Sequence, residues 1–349
     1  MTDQNPGPPG WQPLGYASGG PDMAFGKWRT GGIIFGIIAI VIGGSSGCLG
    51  ILVPLALFVP QPNKQNPPAA IISGAVLYLA AAGSLIWLGI GAIKMRRWVR
   101  PLVLALGTVI FIGGIFFVFW MAFYLPAIRS VTSGNRATPG LQGGMVPFFM
   151  AATMLFIGFL FFIIPGAFVW FYKKQEVKEA LEYFDPVPGW TDRCPIPVLV
   201  PVVALTLFTG VTLISMPQAI MPVFGTVLFG PAAVATNLIF AATALVLAWL
   251  LYRCRPAGWW GTIVFNLALA IAYLMTSLKS DLPDLYRKAG YNAQQLDMIG
   301  HVRDMGSVRM FAMQSTMPIL AIGYLAYIRK YFKRHARDAH SPGFPATSE

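Results

Sequence analysis

The chain has 349 residues, of which 56% are hydrophobic and only 11% charged, and its mean hydropathy is +0.64. A soluble globular chain carries about 25% charged residues, so this deficit excludes a water-soluble enzyme, a disordered scaffold and a nucleic-acid-binding domain. The solvent is mostly lipid, and the net charge of +12 is then a record of topology, because Lys and Arg gather on the cytoplasmic side of membrane proteins.

Residues 1–30 open with Pro6, Pro8, Pro9, Gly10 and Gly15 and have no apolar period, which predicts a flexible cytoplasmic tail. The first apolar run starts too late and is too long for a secretory signal. Gaps between charged residues then locate the spans, since about 20 apolar residues cross the hydrocarbon core. They predict spans in Gly32–Pro60, Ala69–Ile93, Pro101–Leu125 and Val146–Tyr172, the first half (31–172) of the fold. The first window contains Gly43-Gly44-Ser45-Ser46-Gly47. A hairpin there would throw Lys94-Met95-Arg96-Arg97 to the outside, so one continuous helix is expected. Ser46-Gly47-Cys48 resembles the end of a lipoprotein cleavage site, but Ser45 stands where an aliphatic residue is needed, and Cys48 is read as a small packing residue.

A cytoplasmic linker, 173–194, follows. It starts as a helix continuing out of the bilayer through Lys173–Glu182 and stops at Asp185-Pro186. Trp190 and Arg193 are placed to anchor at the headgroups. The second half, 195–331, holds four more spans. The uncharged run from Arg193 to Arg253 supplies two, joined by the turn Met216–Pro222. Pro231–Tyr252 is the second of these crossings, and Val223–Gly230 is an external piece, interfacial or re-entrant. Arg255–Lys279 and Arg309–Arg329 hold one span each. Between them an external loop, 279–308, has the pattern of two short surface helices, with Asp284 ahead of Arg287 and Lys288 and Asp297 four residues before His301. Residues 332–349 form a second cytoplasmic tail. With both termini inside, 17 of the 25 Lys and Arg lie on the cytoplasmic side.

The fold class expected is therefore an all-α, polytopic bundle of eight spans. Two parallel four-helix repeats are suggested by Met150-Ala151-Ala152-Thr153-Met154 against Met313-Gln314-Ser315-Thr316-Met317. The basic-aromatic turn at Arg96-Arg97-Trp98 likewise matches Arg253, Arg255 and Trp259-Trp260.

Chemistry is sparse. No Asp, Glu, Lys, Arg or His falls inside a proposed span, which removes paired carboxylates, haem ligation and a proton relay. There is no phosphate loop, HExxH or CxxC motif. Cys48, Cys194 and Cys254 are too few and scattered for a disulfide framework or a zinc site. No catalytic residue, metal or cofactor is expected. The neutral polar residues at depth include Asn237, Asn266 and Gln314, which could face a polar solute or bond a neighbouring helix. Lys94, Arg96, Arg97, Arg100, Arg253 and Arg255 are candidates for lipid-headgroup contact. Gly32, Gly36, Gly43 and Gly47 form small-residue faces suited to close helix packing.

Composition thus predicts a non-catalytic structural or interaction component of a membrane assembly, with membrane lipids and other membrane proteins as partners and no nucleic acid. The alternative is an uncoupled carrier or channel for a small neutral or amphiphilic solute, lined by Asn237, Asn266 and Gln314. A third reading is a lipid-handling protein using the basic rim. Short loops and the lack of a large soluble domain point to a bacterial-type inner membrane.

Overall fold

The computed structural model describes residues 21–58, 68–134, 152, 155–156, 158–216, 220–279 and 307–338. Nine α-helices occur among these residues: α1 (Pro21–Leu52), α2 (Pro68–Ile93), α3 (Val99–Gly134), α4 (Ile164–Lys173), α5 (Gln175–Phe184), α6 (Ile196–Ile214), α7 (Gly230–Tyr252), α8 (Pro256–Lys279) and α9 (Ser307–Asp338). Six of them, α1, α2, α3, α6, α7 and α8, are long and apolar enough to cross a membrane. Their outward faces carry large apolar side chains such as Val41, Val76, Ile239 and Val264. Exposed aliphatic stripes of this kind are stable only against hydrocarbon, and the chain is a multi-pass helical membrane protein.

The first helix is continuous through Gly43–Gly47, as expected, but it begins at Pro21. Residues 21–30 therefore belong to α1 and not to the tail. Proline suits the first helical turn because its missing N–H would be unpaired there anyway, and Phe25 and Trp28 pack onto Tyr183 and Phe171. The far end tightens into a 3-10 turn over Val53–Leu57, where Pro54 cannot donate to the α-helical ladder. The second tail is likewise shorter than expected, since α9 runs to Asp338.

A backbone seam joins α1 to α2. A Cβ on Gly36 would stand 2.7 Å from the Gly89 carbonyl, one on Gly43 would stand 3.1 Å from that of Ala82, and one on Gly50 would stand 3.2 Å from that of Ala75. These residues recur every seven positions on both helices in antiparallel register, the recurrence that left-handed helix pairing produces. Gly32 lies against Met95 and Ala92, and Gly47 against Ala82, so all four glycines singled out in the sequence serve this contact. Lipid gives no hydrophobic drive for association, and close approach of the backbones supplies dispersion contact in its place.

Beyond this seam, α3 touches α4, α6 and α9, while α7 packs on α6 and α8. It contributes Val103 and Leu104 to one buried cluster, with Met95, Phe171 and Leu181. Ala105 goes to a second cluster, with Leu199, Leu251, Phe265 and Ile328. Span four is described mainly from a π-helical turn, Phe159–Ile163, into α4. The match at Met150–Met154, apart from helical Ala152, lies outside the described residues.

One connection differs from expectation, and a second takes a form the sequence did not specify. The helix leaving span four does not continue straight into the linker. Lys174 is extended (ψ 140°) and separates α4 from α5. The break lets amphipathic α5 bury Val177, Ala180 and Leu181 against the end of the bundle; α5 then stops before Asp185-Pro186, as the proline dictates. The external piece 223–230 takes the form of a hairpin with the residues before it: Ile220–Val223 (β1) and Thr226–Phe229 (β2) pair antiparallel in the register Val223↔Thr226. Phe224 and Gly225 both have positive φ (43° and 94°), the geometry of a tight turn that follows strand twist. Thr276 of α8 holds this turn by accepting from the Gly225 N–H at 3.1 Å. The surface helices expected in 279–308 lie outside the described residues, apart from the flanking ends of α8 and α9.

Gly43→Leu should lower the stability of the detergent-solubilised protein by about 1–3 kcal/mol through overpacking of the seam. Gly44→Leu should be near neutral in the same thermal-unfolding assay, because a Cβ there meets nothing within 4 Å.

Candidate functional site

The segments expected to carry cytoplasmic charge meet at one end of the bundle. Phe25 of α1 stacks on Tyr183 of α5, the Tyr252 hydroxyl donates to the Trp190 carbonyl at 2.8 Å, and the Trp259 indole N–H donates to the Leu325 carbonyl at 2.7 Å. This basic end holds the densest described set of ionic contacts, and its local order begins with two turns of the same form.

The α2–α3 turn places Met95 in the left-handed region (φ 51°), and the α7–α8 turn does the same with Cys254 (φ 52°). The Met95 and Arg96 N–H groups donate to the carbonyls of Ala92 and Gly91, and the Cys254 and Arg255 N–H groups donate to those of Leu251 and Leu250. This is the pair of bonds that closes a helix with a left-handed residue. The next helix then starts with Val99 N–H on Arg96 O and Gly258 N–H on Arg255 O. Every donor and acceptor in the first turn has its counterpart 159 positions later. Both positive-φ residues are buried and non-glycine, so packing against the core offsets the backbone cost.

The first turn is neutralised from within the chain. Arg97 lies between α5 and the linker, its Nη2 3.3 Å from Glu182 Oε1 and its Nε 3.1 Å from Asp192 Oδ2. Its backbone N–H donates to Asp185 Oδ2 at 3.1 Å, and Arg96 Nη1 stands 3.8 Å from Asp185 Oδ1. Asp192 also accepts from the Gly189 N–H at 2.8 Å, closing the 3-10 turn Trp190–Arg193. Arg100 Nε donates to the Tyr172 carbonyl at 3.0 Å. Arg97 is thus the tie between the α2–α3 turn and the linker, with its side chain only 23% exposed.

The second turn is furnished differently. The guanidinium carbons of Arg253 and Arg255 lie 4.9 and 5.7 Å from the centroid of one ring, Trp249. Among the described residues neither arginine has an ion pair with a carboxylate. Lys94, exposed on the first turn, completes the sequence-derived headgroup candidates. Other cations at this end also sit on aromatic faces: Lys174 over Trp170 at 3.8 Å, Arg29 over Phe184 at 5.6 Å and Arg329 over Trp259 at 5.5 Å.

Two cysteines that sequence spacing could not connect meet beneath the second turn. Cys194 and Cys254 are both free and buried in one cluster; Cys194 Sγ donates to the Pro195 carbonyl at 3.7 Å, and the neighbouring Cys254 and burial push the Cys194 thiol up. Among the described residues no group of three or more His, Cys, Asp or Glu side chains is gathered as a metal site.

The neutral candidates at depth are not drawn together. Asn266 is half-buried on α8, and its Nδ2 donates to the Thr262 carbonyl of its own helix at 2.8 Å. Asn237 is half-buried on α7, and counting inward from the turn at Cys254 puts it roughly 7 Å deeper than Asn266. Gln314 lies in α9, and its side chain is outside the described residues. Next to Asn266 on α8, Phe265 packs on Phe208 of α6 and Phe240 of α7, with ring centroids 6.0 and 5.9 Å apart. Thr209, which the sequence did not single out, bonds across helices to the Ala241 carbonyl at 3.4 Å.

The chain matches no protein-family model, no curated protein and no solved structure.

Arg97→Gln should destabilise the purified protein by about 2 kcal/mol, because it leaves Asp192 in a half-buried layer without its cation and Glu182 with only Lys178 at 3.9 Å. Thermal unfolding in mild detergent measures this loss, and exposed Arg193→Gln should stay within about 0.5 kcal/mol of wild type.

Proposed function

We propose that the protein is a non-catalytic structural or interaction component of a membrane assembly, threaded eight times through the bilayer as two four-helix repeats with both termini cytoplasmic. The observation that carries the non-catalytic reading is the way the polar side chains at depth are spent. Asn266, Thr209 and Thr276 each bond a backbone carbonyl, and Thr276 also holds the hairpin. Inside hydrocarbon these bonds satisfy the side chains on the backbone of their own helices, Thr209 also reaches the Ala241 carbonyl of α7, and Phe265 beside Asn266 packs its ring on Phe208 and Phe240.

The two matching turns support the repeat. Each closes a long apolar helix at the basic end and opens the next one, with the same bonds at a constant separation. An even number of spans per unit gives both copies the same orientation, which is why both turns fall at the same end. The gathering of Lys27, Arg29, Lys94, Lys174, Arg253 and Arg329 at that end supports a cytoplasmic assignment for it. Lys64, between α1 and α2, belongs to the opposite side. An inner membrane of bacterial type suits a chain of this composition.

Chemical cross-linking in native membranes followed by purification should recover a second membrane protein in fixed ratio. A monodisperse lone monomer under the same mild conditions would overturn the assembly role. Liposomes carrying the purified protein should swell in glycerol no faster than empty ones; swelling that Asn266→Leu abolishes would establish a carrier instead. In whole cells, Lys64→Cys should react with an impermeant maleimide from outside and Lys94→Cys only after permeabilisation, and the reverse pattern would invert the threading.

A further inference from the structure

The two turns share a backbone but not a charge balance, and the difference points to a ligand. In the first, Arg96 and Arg97 face Asp185, Glu182 and Asp192. In the second, Arg255 occupies the position of Arg96 and Arg253 that of Lys94, and no described carboxylate pairs with either. Both guanidinium groups nevertheless converge on the single indole of Trp249. Two like charges held on one ring repel one another, and the arrangement gains stability when an anion sits between them. Both arginines are exposed and hold their guanidinium carbons 4.9 and 5.7 Å from one ring centroid, and a guanidinium fork recognises a phosphate with two parallel bonds.

Position decides the kind of anion. Trp249 is the last-turn residue of α7 and is half exposed; Trp260, in the first turns of α8, is exposed as well. Below Trp249 on α7 lie exposed Leu245 and Val246, and below Trp260 on α8 lie exposed Val264, Leu267 and Ile271. An indole above an aliphatic stripe marks the headgroup level of a lipid-facing surface, so an anion held by Arg253 and Arg255 has acyl-chain surface directly beneath it. We propose that the α7–α8 turn is a binding site for an anionic phospholipid of the adjoining leaflet, with Arg253 and Arg255 on its phosphate, Trp249 beside its glycerol level and the α7 and α8 stripes against its chains. This inference rests on the membrane fold alone and stands whether or not the assembly role holds.

The test uses the full-length protein in mild detergent, offered equal amounts of phosphatidylglycerol and phosphatidylcholine with identical chains, with retained lipid read by native mass spectrometry. Wild type should retain phosphatidylglycerol selectively. Loss of one basic residue near the headgroups weakens binding by about fivefold, so Arg253→Gln and Arg255→Gln should each lose about that much and the double variant about 30-fold. Arg253→Lys/Arg255→Lys, which keeps charge but not the planar fork, should fall between wild type and the double Gln variant. Unchanged melting temperatures in the single variants separate lost binding from lost folding. Equal retention of the two lipids by wild type, or undiminished selectivity in both single variants, would overturn the site. Displacement of phosphatidylglycerol by equimolar glycerol phosphate would reduce it to a soluble-phosphate site and overturn the lipid assignment. Displacement by an equimolar poly-glutamate peptide would overturn it in favour of an acidic protein segment.

Discussion

Hydrocarbon offers no hydrogen bonds, and that single deficiency organises this molecule. Every polar group that enters the bilayer must find its partner on the protein, and an ionic group entering alone is too costly to keep. The structure answers with backbone-bonded Asn266, Thr209 and Thr276 inside and with its described ionic contacts gathered at one end. There Arg97 holds α5 and the linker against the α2–α3 turn through Glu182, Asp185 and Asp192.

The same constraint shapes how the helices meet. Two apolar rods gain little from touching each other when lipid is equally apolar, so association depends on how closely they approach. Gly36, Gly43 and Gly50 remove the side chains that would keep α1 from the carbonyls of α2. Elsewhere bulkier side chains meet across helices, as with Phe208 and Phe240 on Phe265. The two buried clusters are joined through α3, which feeds both, and the Arg97 layer holds the linker to the α2–α3 turn at the basic end.

Function follows from what these contacts leave over. Asn266, Thr209 and Thr276 are spent on backbone carbonyls, which supports the proposed component that holds or is held. The basic end is spent unevenly: one turn is closed by the chain's own carboxylates, and its counterpart keeps two arginines on a tryptophan at the lipid boundary. That imbalance gives the bundle a defined place to meet an anionic headgroup, while the aromatic rings under Lys174, Arg29 and Arg329 fix the level at which it sits.

Residue order along the chain was enough to give the membrane class, the positions of the six long apolar helices, the continuity of α1 through its glycines and the stop of α5 at Asp185-Pro186. Each follows from a local cause: the length of an uncharged run, the lack of a Cβ, or the geometry that proline imposes on its neighbour. The candidate site was legible only as a list of basic residues at helix ends, without the distinction between closed and open turns. Tertiary structure alone decided that Arg97 belongs to Glu182 and Asp192, that Cys194 meets Cys254, that Lys174 breaks the helix leaving span four, and that 220–229 is a hairpin pinned by Thr276. Those outcomes join residues tens of positions apart or depend on a neighbouring helix to accept a bond, and partners brought together by packing leave no period, spacing or composition in the sequence.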